Sequence, residues 1–84
     1  MINIAVLGYG TVGSGVVEVL DTNRECISQR VGEEIRVKYV LDLRDFPGDP
    51  VQNILVHNFE EIIRDEDVKI VVEVWEGLSL HILL

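Results

Sequence analysis

The glycine-rich stretch at residues 8–15 constrains the fold of this chain more than any other feature. It reads Gly-Tyr-Gly-Thr-Val-Gly-Ser-Gly and lies between an apolar run at residues 2–7 and a second apolar run that begins at Val16. A strand, a glycine-rich turn and a helix in this order leave backbone N–H groups at the helix N-terminus, where the helix dipole favours negative charge. The stretch therefore predicts a phosphate-binding turn.

The spacing Gly8-x-Gly10-x-x-Gly13 matches the dinucleotide-binding fingerprint. Gly8 permits a tight turn out of the strand, Gly10 lets the backbone approach a pyrophosphate, and Gly13 lets the helix pack closely on the strand. The alternative is a glycine-rich turn that only connects two elements. The candidate cofactor-binding residues of this turn are Gly8, Tyr9, Gly10, Thr11, Val12 and Gly13.

A second candidate site lies after the second predicted strand, where Asp42 and Arg44 occur. In a dinucleotide-binding sheet, an acid at this point accepts a hydrogen bond from the 2′-hydroxyl of NAD, whereas an arginine accommodates the 2′-phosphate of NADP. The two residues favour different cofactors. We prefer phosphate binding by Arg44 and leave NAD, NADP or dual use open. The alternative is a pair of solvated charges bonded to each other.

Periodicity along the chain predicts alternating strands and helices. Apolar runs predict strands at residues 2–7, 34–42, 54–56 and 68–74. Residues 43–50 are predicted to form a loop rich in turn residues, and residues 65–67 a solvated loop. Helices are predicted at residues 11–29, with Gly32 as the C-terminal cap, and at 59–64, with Asn58 as the N-cap. This order is typical of an α/β protein with a partial Rossmann-type doubly wound parallel sheet.

The first predicted helix has an apolar stripe that should pack on the sheet. Cys26, the single cysteine, is expected to be buried or half-buried in this helix. The stripe consists of Val12, Val16, Val19, Leu20 and Ile27.

Composition limits the class of protein. A chain of 84 residues with 48% hydrophobic and 26% charged residues is expected to form one small globular domain. The net charge of −8 argues against nucleic acid or an anionic membrane as partner. We see no secretion signal and no apolar run of membrane length, so we expect a cytoplasmic protein. His57 and His81 have no spaced partners for zinc, and no catalytic residue is evident.

Three segments of the chain resemble homoserine dehydrogenase. They are residues 3–17, Arg44-Asp45 after the second strand, and residues 68–74, which read Val-Lys-Ile-Val-Val-Glu-Val. The resemblance covers residues 2–74, and the form Gly-x-Gly-Thr-Val-Gly-x-Gly is more specific than the bare fingerprint. It implies an NAD(P)-dependent oxidoreductase that interconverts L-homoserine and L-aspartate 4-semialdehyde for threonine, methionine and isoleucine biosynthesis, usually as a homo-oligomer. It also implies that residues 9–13 line the pyrophosphate and nicotinamide side and that Arg44 meets the 2′-phosphate.

The resemblance ends at Trp75, where the family continues with Met-Gly-Gly. One permitted coding of the family sequence Met-Gly-Gly-Leu-Glu-Pro-Ala-Tyr-Thr, shifted by one base, translates as Trp-Glu-Gly-Leu-Ser-Leu-His-Ile-Leu, which is residues 75–83. We therefore expect residues 1–74 to be an NAD(P)-binding segment and residues 75–84 to be an out-of-frame tail. A naturally divergent short protein is the alternative.

The family's catalytic lysine and aspartate, substrate-binding domain and dimer contacts correspond to positions beyond residue 84. The resemblance therefore implies that this chain alone lacks dehydrogenase activity, and that L-homoserine is a partner only of a full-length product. Trp75 and Glu76 are expected to weaken NADP binding through bulk and negative charge, and the exposed sheet edge and apolar tail should favour aggregation. The second hypothesis is a stand-alone nucleotide-binding or interaction module without catalysis, which saturable NADPH binding by the folded chain would favour.

Overall fold

The computed structural model describes residues 1–75 and 77–83, which form a five-stranded sheet with helices on both faces. The strands are β1 (Ile2–Leu7), β2 (Ile35–Leu41), β3 (Leu55–Val56), β4 (Val68–Glu73) and β5 (Ser79–Ile82). The helices are α1 (Thr11–Thr22), α2 (Arg24–Val31) and α3 (Phe59–Ile63), and a 3₁₀ helix spans Pro50–Ile54. The order of elements confirms the predicted α/β class.

The sheet has the strand order β3-β2-β1-β4-β5. β1 pairs in parallel with β2 and β4, and β2 pairs in parallel with β3, as the sequence predicts. β5, which the sequence analysis did not predict, pairs antiparallel with β4. The connection between these two strands, residues 74–78, is shorter than the crossover that a parallel strand requires, so β5 can only run antiparallel to β4.

Alternate residues of the central strands pack against helices on opposite faces of the sheet. Ile62 of α3 is 1% exposed and anchors one face, and α1 and α2 cover the other. The buried residues on the α3 face include Ala5, Leu7, Leu41 and Val71, and those on the α1 face include Ile4, Val6, Val40 and Val72. A mostly parallel sheet that buries apolar side chains against helices on both faces is a doubly wound sheet.

The single helix predicted at residues 11–29 is two helices. The backbone N–H and the side-chain Nδ2 of Asn23 both donate to Val19 O at 3.0 Å, and this local bonding ends α1. Asparagine competes with the helix backbone in this way. α2 then extends to Val31, and Gly32, with φ of +81°, confirms the predicted C-terminal cap.

Only part of the predicted apolar stripe packs against the core, and that part is half-buried. Val16, Leu20 and Ile27 pack on the core, but Val12 and Val19 are each 57% exposed and border a groove beside β5. Val72 of β4 and Leu80 of β5 line the same groove, so α1 does not close onto this part of the sheet. Cys26 is exposed, contrary to the expectation that it would be at least half-buried.

The region around α3 follows the prediction with one correction. Asn58 Oδ1 accepts a hydrogen bond from Glu60 N at 2.9 Å, which confirms the N-cap. Asp65 lies in the expected loop but is not simply solvated, because it accepts from the Tyr39 hydroxyl at 2.7 Å and pairs with Lys38. The hydrogen bonds from Lys38 and Tyr39 lower the pKa of Asp65 to about 2. No helix among the described residues is long and apolar enough to cross a membrane.

Candidate nucleotide-binding site

Four strands end at the same edge of the sheet, because their last residues are paired in register. Leu7 pairs with Leu41 and with Glu73, and Leu41 pairs with Val56. Ligands of open α/β sheets bind at this carboxyl edge, where loops from neighbouring strands meet. The residues that directly follow the four strands are Gly8, Asp42, His57 and Val74.

A cavity of about 260 Å³ opens at this edge. The structure brings all eight predicted cofactor-binding residues together around it, although Asp42 and Arg44 lie far from the glycine turn in sequence. Val74 and Trp75, which sequence reasoning did not include as binding residues, complete the lining. The predicted residues in the lining are Gly8, Tyr9, Gly10, Thr11, Val12, Gly13, Asp42 and Arg44.

The N-terminus of α1 forms one wall of this cavity. Gly10 occupies the N-cap position and supplies no side-chain hydrogen bond, and the first turn contains no acidic residue. The first N–H groups of a helix have no acceptor within the helix, and they carry the positive end of its dipole. This wall is therefore suited to an anion.

Two of the three fingerprint glycines are required by the turn itself. Gly8 has φ of +103°, a conformation that other residues rarely adopt, and its N–H donates to Leu41 O at 2.7 Å. A Cβ on Gly13 would lie 1.9 Å from Gly8 O, so only glycine allows α1 to pack on the turn. A Cβ on Gly10 would meet nothing nearer than Arg44 Nη2 at 3.9 Å.

Asp42 is buried at the end of β2, with 6% of the residue exposed, and its carboxylate accepts four hydrogen bonds. Oδ2 accepts from Tyr9 N at 2.9 Å and from Arg44 Nη2 at 3.0 Å, and Oδ1 accepts from Arg44 N at 2.9 Å and Nε at 3.0 Å. The Arg44 guanidinium, together with the two backbone N–H groups, holds the pKa of Asp42 well below its usual range. Asp42 thus fastens the glycine turn to the end of β2.

Arg44 faces the solvent although it is paired, because 64% of its side chain is exposed. It commits Nε and Nη2 to Asp42, while its Cζ lies 5.2 Å from the centre of the Phe46 ring. Phe46 also contacts the Tyr9 ring edge-on at 4.9 Å, and the Tyr9 hydroxyl donates to Asp49 Oδ2 at 3.1 Å. Burial, with Asp49 nearby, raises the pKa of Tyr9. Sequence reasoning missed Phe46 and Asp49, because only the folded loop brings them to the turn.

His57, also missed, follows β3 at the same edge. Its Nδ1 lies 2.7 Å from the Asp42 carbonyl oxygen, and its Nε2 lies 2.9 Å from Asp45 Oδ1. The hydrogen bond to Asp42 O and the carboxylate of Asp45 raise the pKa of His57. Its position directly after a short strand was the signal that could have identified it.

Trp75 lies at the mouth of the cavity and is 58% exposed. The indole Nε1 is 2.9 Å from the place that a Cβ on Gly8 would occupy, so the ring lies directly over the turn. The bulky Trp75 side chain therefore lies at the candidate binding site, as the sequence predicts. The expected negative charge belongs to Glu76, which lies outside the described residues.

No protein-family model matches the chain. The chain is 36% identical over 85 residues to homoserine dehydrogenase of Helicobacter pylori, an alignment that covers 99% of this chain. It is 37% identical over 81 residues to homoserine dehydrogenase of Neisseria gonorrhoeae, an alignment that covers 94% of this chain. A crystal structure of Staphylococcus aureus homoserine dehydrogenase superposes on 86% of the chain with a TM-score of 0.74 and 36% identity. The chain spans about a fifth of the length of these relatives, 20% and 19% for the two sequences and 19% for the structure.

Proposed function

We propose, from the premise that this chain is a homologue of the N-terminal Rossmann-like part of homoserine dehydrogenase, that residues 1–74 bind the pyrophosphate and adenosine side of NADP. One observation carries the proposal. The cavity at the carboxyl edge is lined by all eight residues that the fingerprint and the end of β2 predict, and the uncapped N-terminus of α1 supplies N–H groups to it.

The hydrogen bonds of Asp42 favour NADP over NAD. A carboxylate offers about four acceptor positions. Asp42 uses four, for Tyr9 N and three donors of Arg44, so it has none left for a ribose 2′-hydroxyl. Arg44, by contrast, does not use Nη1 in this pair and remains largely exposed, as a residue that meets a 2′-phosphate must be.

The reaction we propose is the one that the family resemblance implies, carried out by a longer protein. Such a protein would oxidise L-homoserine to L-aspartate 4-semialdehyde, and this segment would hold the cofactor while other parts supply the substrate site and subunit contacts. When bound, the nicotinamide accepts the hydride. The 84-residue chain alone is expected to form no NADPH from homoserine, which an absorbance assay at the NADPH band tests.

We also propose that residues 75–84 are an out-of-frame reading of the family sequence. One permitted coding of the family sequence, shifted by one base, translates as residues 75–83, and all four residues of β5 within them are exposed on the sheet edge. Sequencing the coding DNA from the Val74 codon onward tests the proposal. One added base that opens a long frame continuing Met-Gly-Gly would support it, and its absence in every frame would overturn it.

Arg44→Gln is expected to weaken the binding of NADP⁺ by about tenfold or more, because a hydrogen bond between charged groups is lost with the phosphate-bearing cofactor. The binding of NAD⁺ should not weaken, because the substitution frees the Asp42 acceptor positions that Arg44 Nε and Nη2 occupy, and a ribose 2′-hydroxyl can use them. Isothermal titration calorimetry with both nucleotides measures the difference. Arg24→Gln, an exposed change of equal charge on α2, is the control. Equal losses of NADP⁺ and NAD⁺ affinity would contradict the role of Arg44.

Trp75→Gly is expected to tighten the binding of both nucleotides, because the indole lies over Gly8 and lines the cavity that a pyrophosphate would enter. A gain of about threefold or more in NADP⁺ affinity, measured by the same titration, corresponds to relief of a modest steric cost. Leu78→Gly, also exposed but outside this cavity, is the control. Weaker binding by Trp75→Gly would show instead that the indole contributes a stacking contact.

A further inference from the structure

His57 contacts two acceptors with its two ring nitrogens. The Asp42 carbonyl oxygen, 2.7 Å from Nδ1, can only accept, and so can the ionised carboxylate of Asp45, 2.9 Å from Nε2. A neutral imidazole has a single N–H, so it can donate to one of these groups but not to both. The bridge is complete only when the ring carries two protons and a positive charge.

The bridge spans the turn that carries Arg44. Asp42 and Asp45 stand on either side of residues 43 and 44, and His57 joins the backbone of the first to the side chain of the second. Gln52 provides a second attachment, since its Nε2 donates to Asp45 Oδ1 at 3.2 Å and its Oε1 accepts from Phe46 N at 2.7 Å. Loss of the His57 bridge therefore loosens the turn without releasing it.

We propose that His57 is a positioning residue whose protonation couples the binding of a 2′-phosphate at Arg44 to pH. The proposal rests on the proposed function, because it concerns the phosphate that distinguishes NADP from NAD. Protonated His57 fastens the turn that presents Arg44 and adds a positive charge beside the Asp42–Arg44 pair, which is neutral as a whole. Neutral His57 does neither.

The charged groups around His57 set the pH range. Asp45 faces it from the turn after β2, Glu61 from α3, and the Asp42–Arg44 pair from the end of β2. The hydrogen bond to Asp42 O and the negative charges raise the pKa of His57 above its ordinary value of about 6.5. The bridge is therefore complete below about pH 6.5 and is lost as the pH rises through the raised pKa.

The test compares the chain with His57→Gln by titration of NADP⁺ and NAD⁺ between about pH 5.5 and pH 9. The ionisation of the 2′-phosphate itself affects both proteins equally, so the comparison between them isolates His57. Relative to His57→Gln, we expect the original chain to lose about two- to fivefold in NADP⁺ affinity across this range, the size expected for an exposed ion pair. NAD⁺ affinity should show no such difference.

Nuclear magnetic resonance of the imidazole and guanidinium groups provides a second measurement that needs no nucleotide. A His81→Gln variant leaves one imidazole and assigns its signal. We expect Asp45→Asn to lower the pKa of His57, and the Arg44 Nε–H signal to shift with the titration of His57.

The outcomes separate the two proposals. If NADP⁺ binds with the same pH dependence in both proteins, the inference is overturned and the proposed function stands. If NADP⁺ binds at no pH, the proposed function fails and the coupling to phosphate fails with it. An Arg44 signal that ignores the titration of His57 overturns the positioning role in either case.

Discussion

Gly13→Ala is expected to lower the free energy of unfolding by about 3 kcal/mol, because the new methyl group would overlap backbone atoms. A Cβ at this position would lie 1.9 Å from Gly8 O and 2.7 Å from Gly8 C. Neither atom can move without breaking the turn, whose Gly8 N–H is bonded to Leu41 O. The better helix propensity of alanine, worth about 1 kcal/mol, offsets only part of this cost.

Gly15→Ala is the matched control, since it lies two residues further along the same helix. A Cβ on Gly15 would meet no heavy atom within 4 Å, so alanine should stabilise α1 by up to about 1 kcal/mol. Urea unfolding followed by far-ultraviolet circular dichroism measures both variants. If Gly13→Ala were as stable as Gly15→Ala, α1 would not pack on the glycine turn as described.

The two glycines show how much of this site the sequence could predict. Gly13 belongs to the fingerprint and Gly15 does not, and the structure gives them opposite surroundings. The prediction succeeds because the fingerprint records contacts between near neighbours in sequence, where geometry is set by the strand, the turn and the first turn of the helix. The end of the first strand at Leu7 was predicted, whereas β2 ends at Leu41, one residue before the predicted end at Asp42.

The features that the sequence did not predict depend on contacts between distant segments. The spacing of Val12 and Val19 indicates an apolar face, but it does not show whether the helix closes onto the sheet at that face. The hydrogen bond from Tyr9 N to Asp42 and the bridge of His57 depend on how three loops meet at one edge. Asp49-Pro50 did contain a local signal, because an aspartate N-cap followed by proline starts a helical turn, as the 3₁₀ helix does here.

Asp42 is expected to contribute more to stability than any other polar side chain at the site. In the original chain, N–H groups of Tyr9 and Arg44 donate to the Asp42 carboxylate. In Asp42→Asn, the amide NH₂ would face one of these donors, and neither group could accept a hydrogen bond. A buried group left without its partners costs about 1–3 kcal/mol, and more when charge is involved, so we expect a loss of about 2–3 kcal/mol in the free energy of unfolding at neutral pH. Asp21→Asn, an exposed change of equal charge on α1, should have almost no effect.

The pH dependence of unfolding tests the same carboxylate independently. Because the folded state depresses the pKa of Asp42, its contribution is complete above the unfolded pKa of about 3.9 and is lost as the pH falls toward the folded value. The original chain should therefore lose stability steeply between about pH 5 and pH 2, and Asp42→Asn should lose less over the same range. Asp65, whose pKa is about 2, is present in both proteins and cancels in the comparison. Parallel curves for the two proteins would mean that Asp42 does not bind Arg44 and the turn in solution, and the argument for NADP from its saturated carboxylate would fail with it.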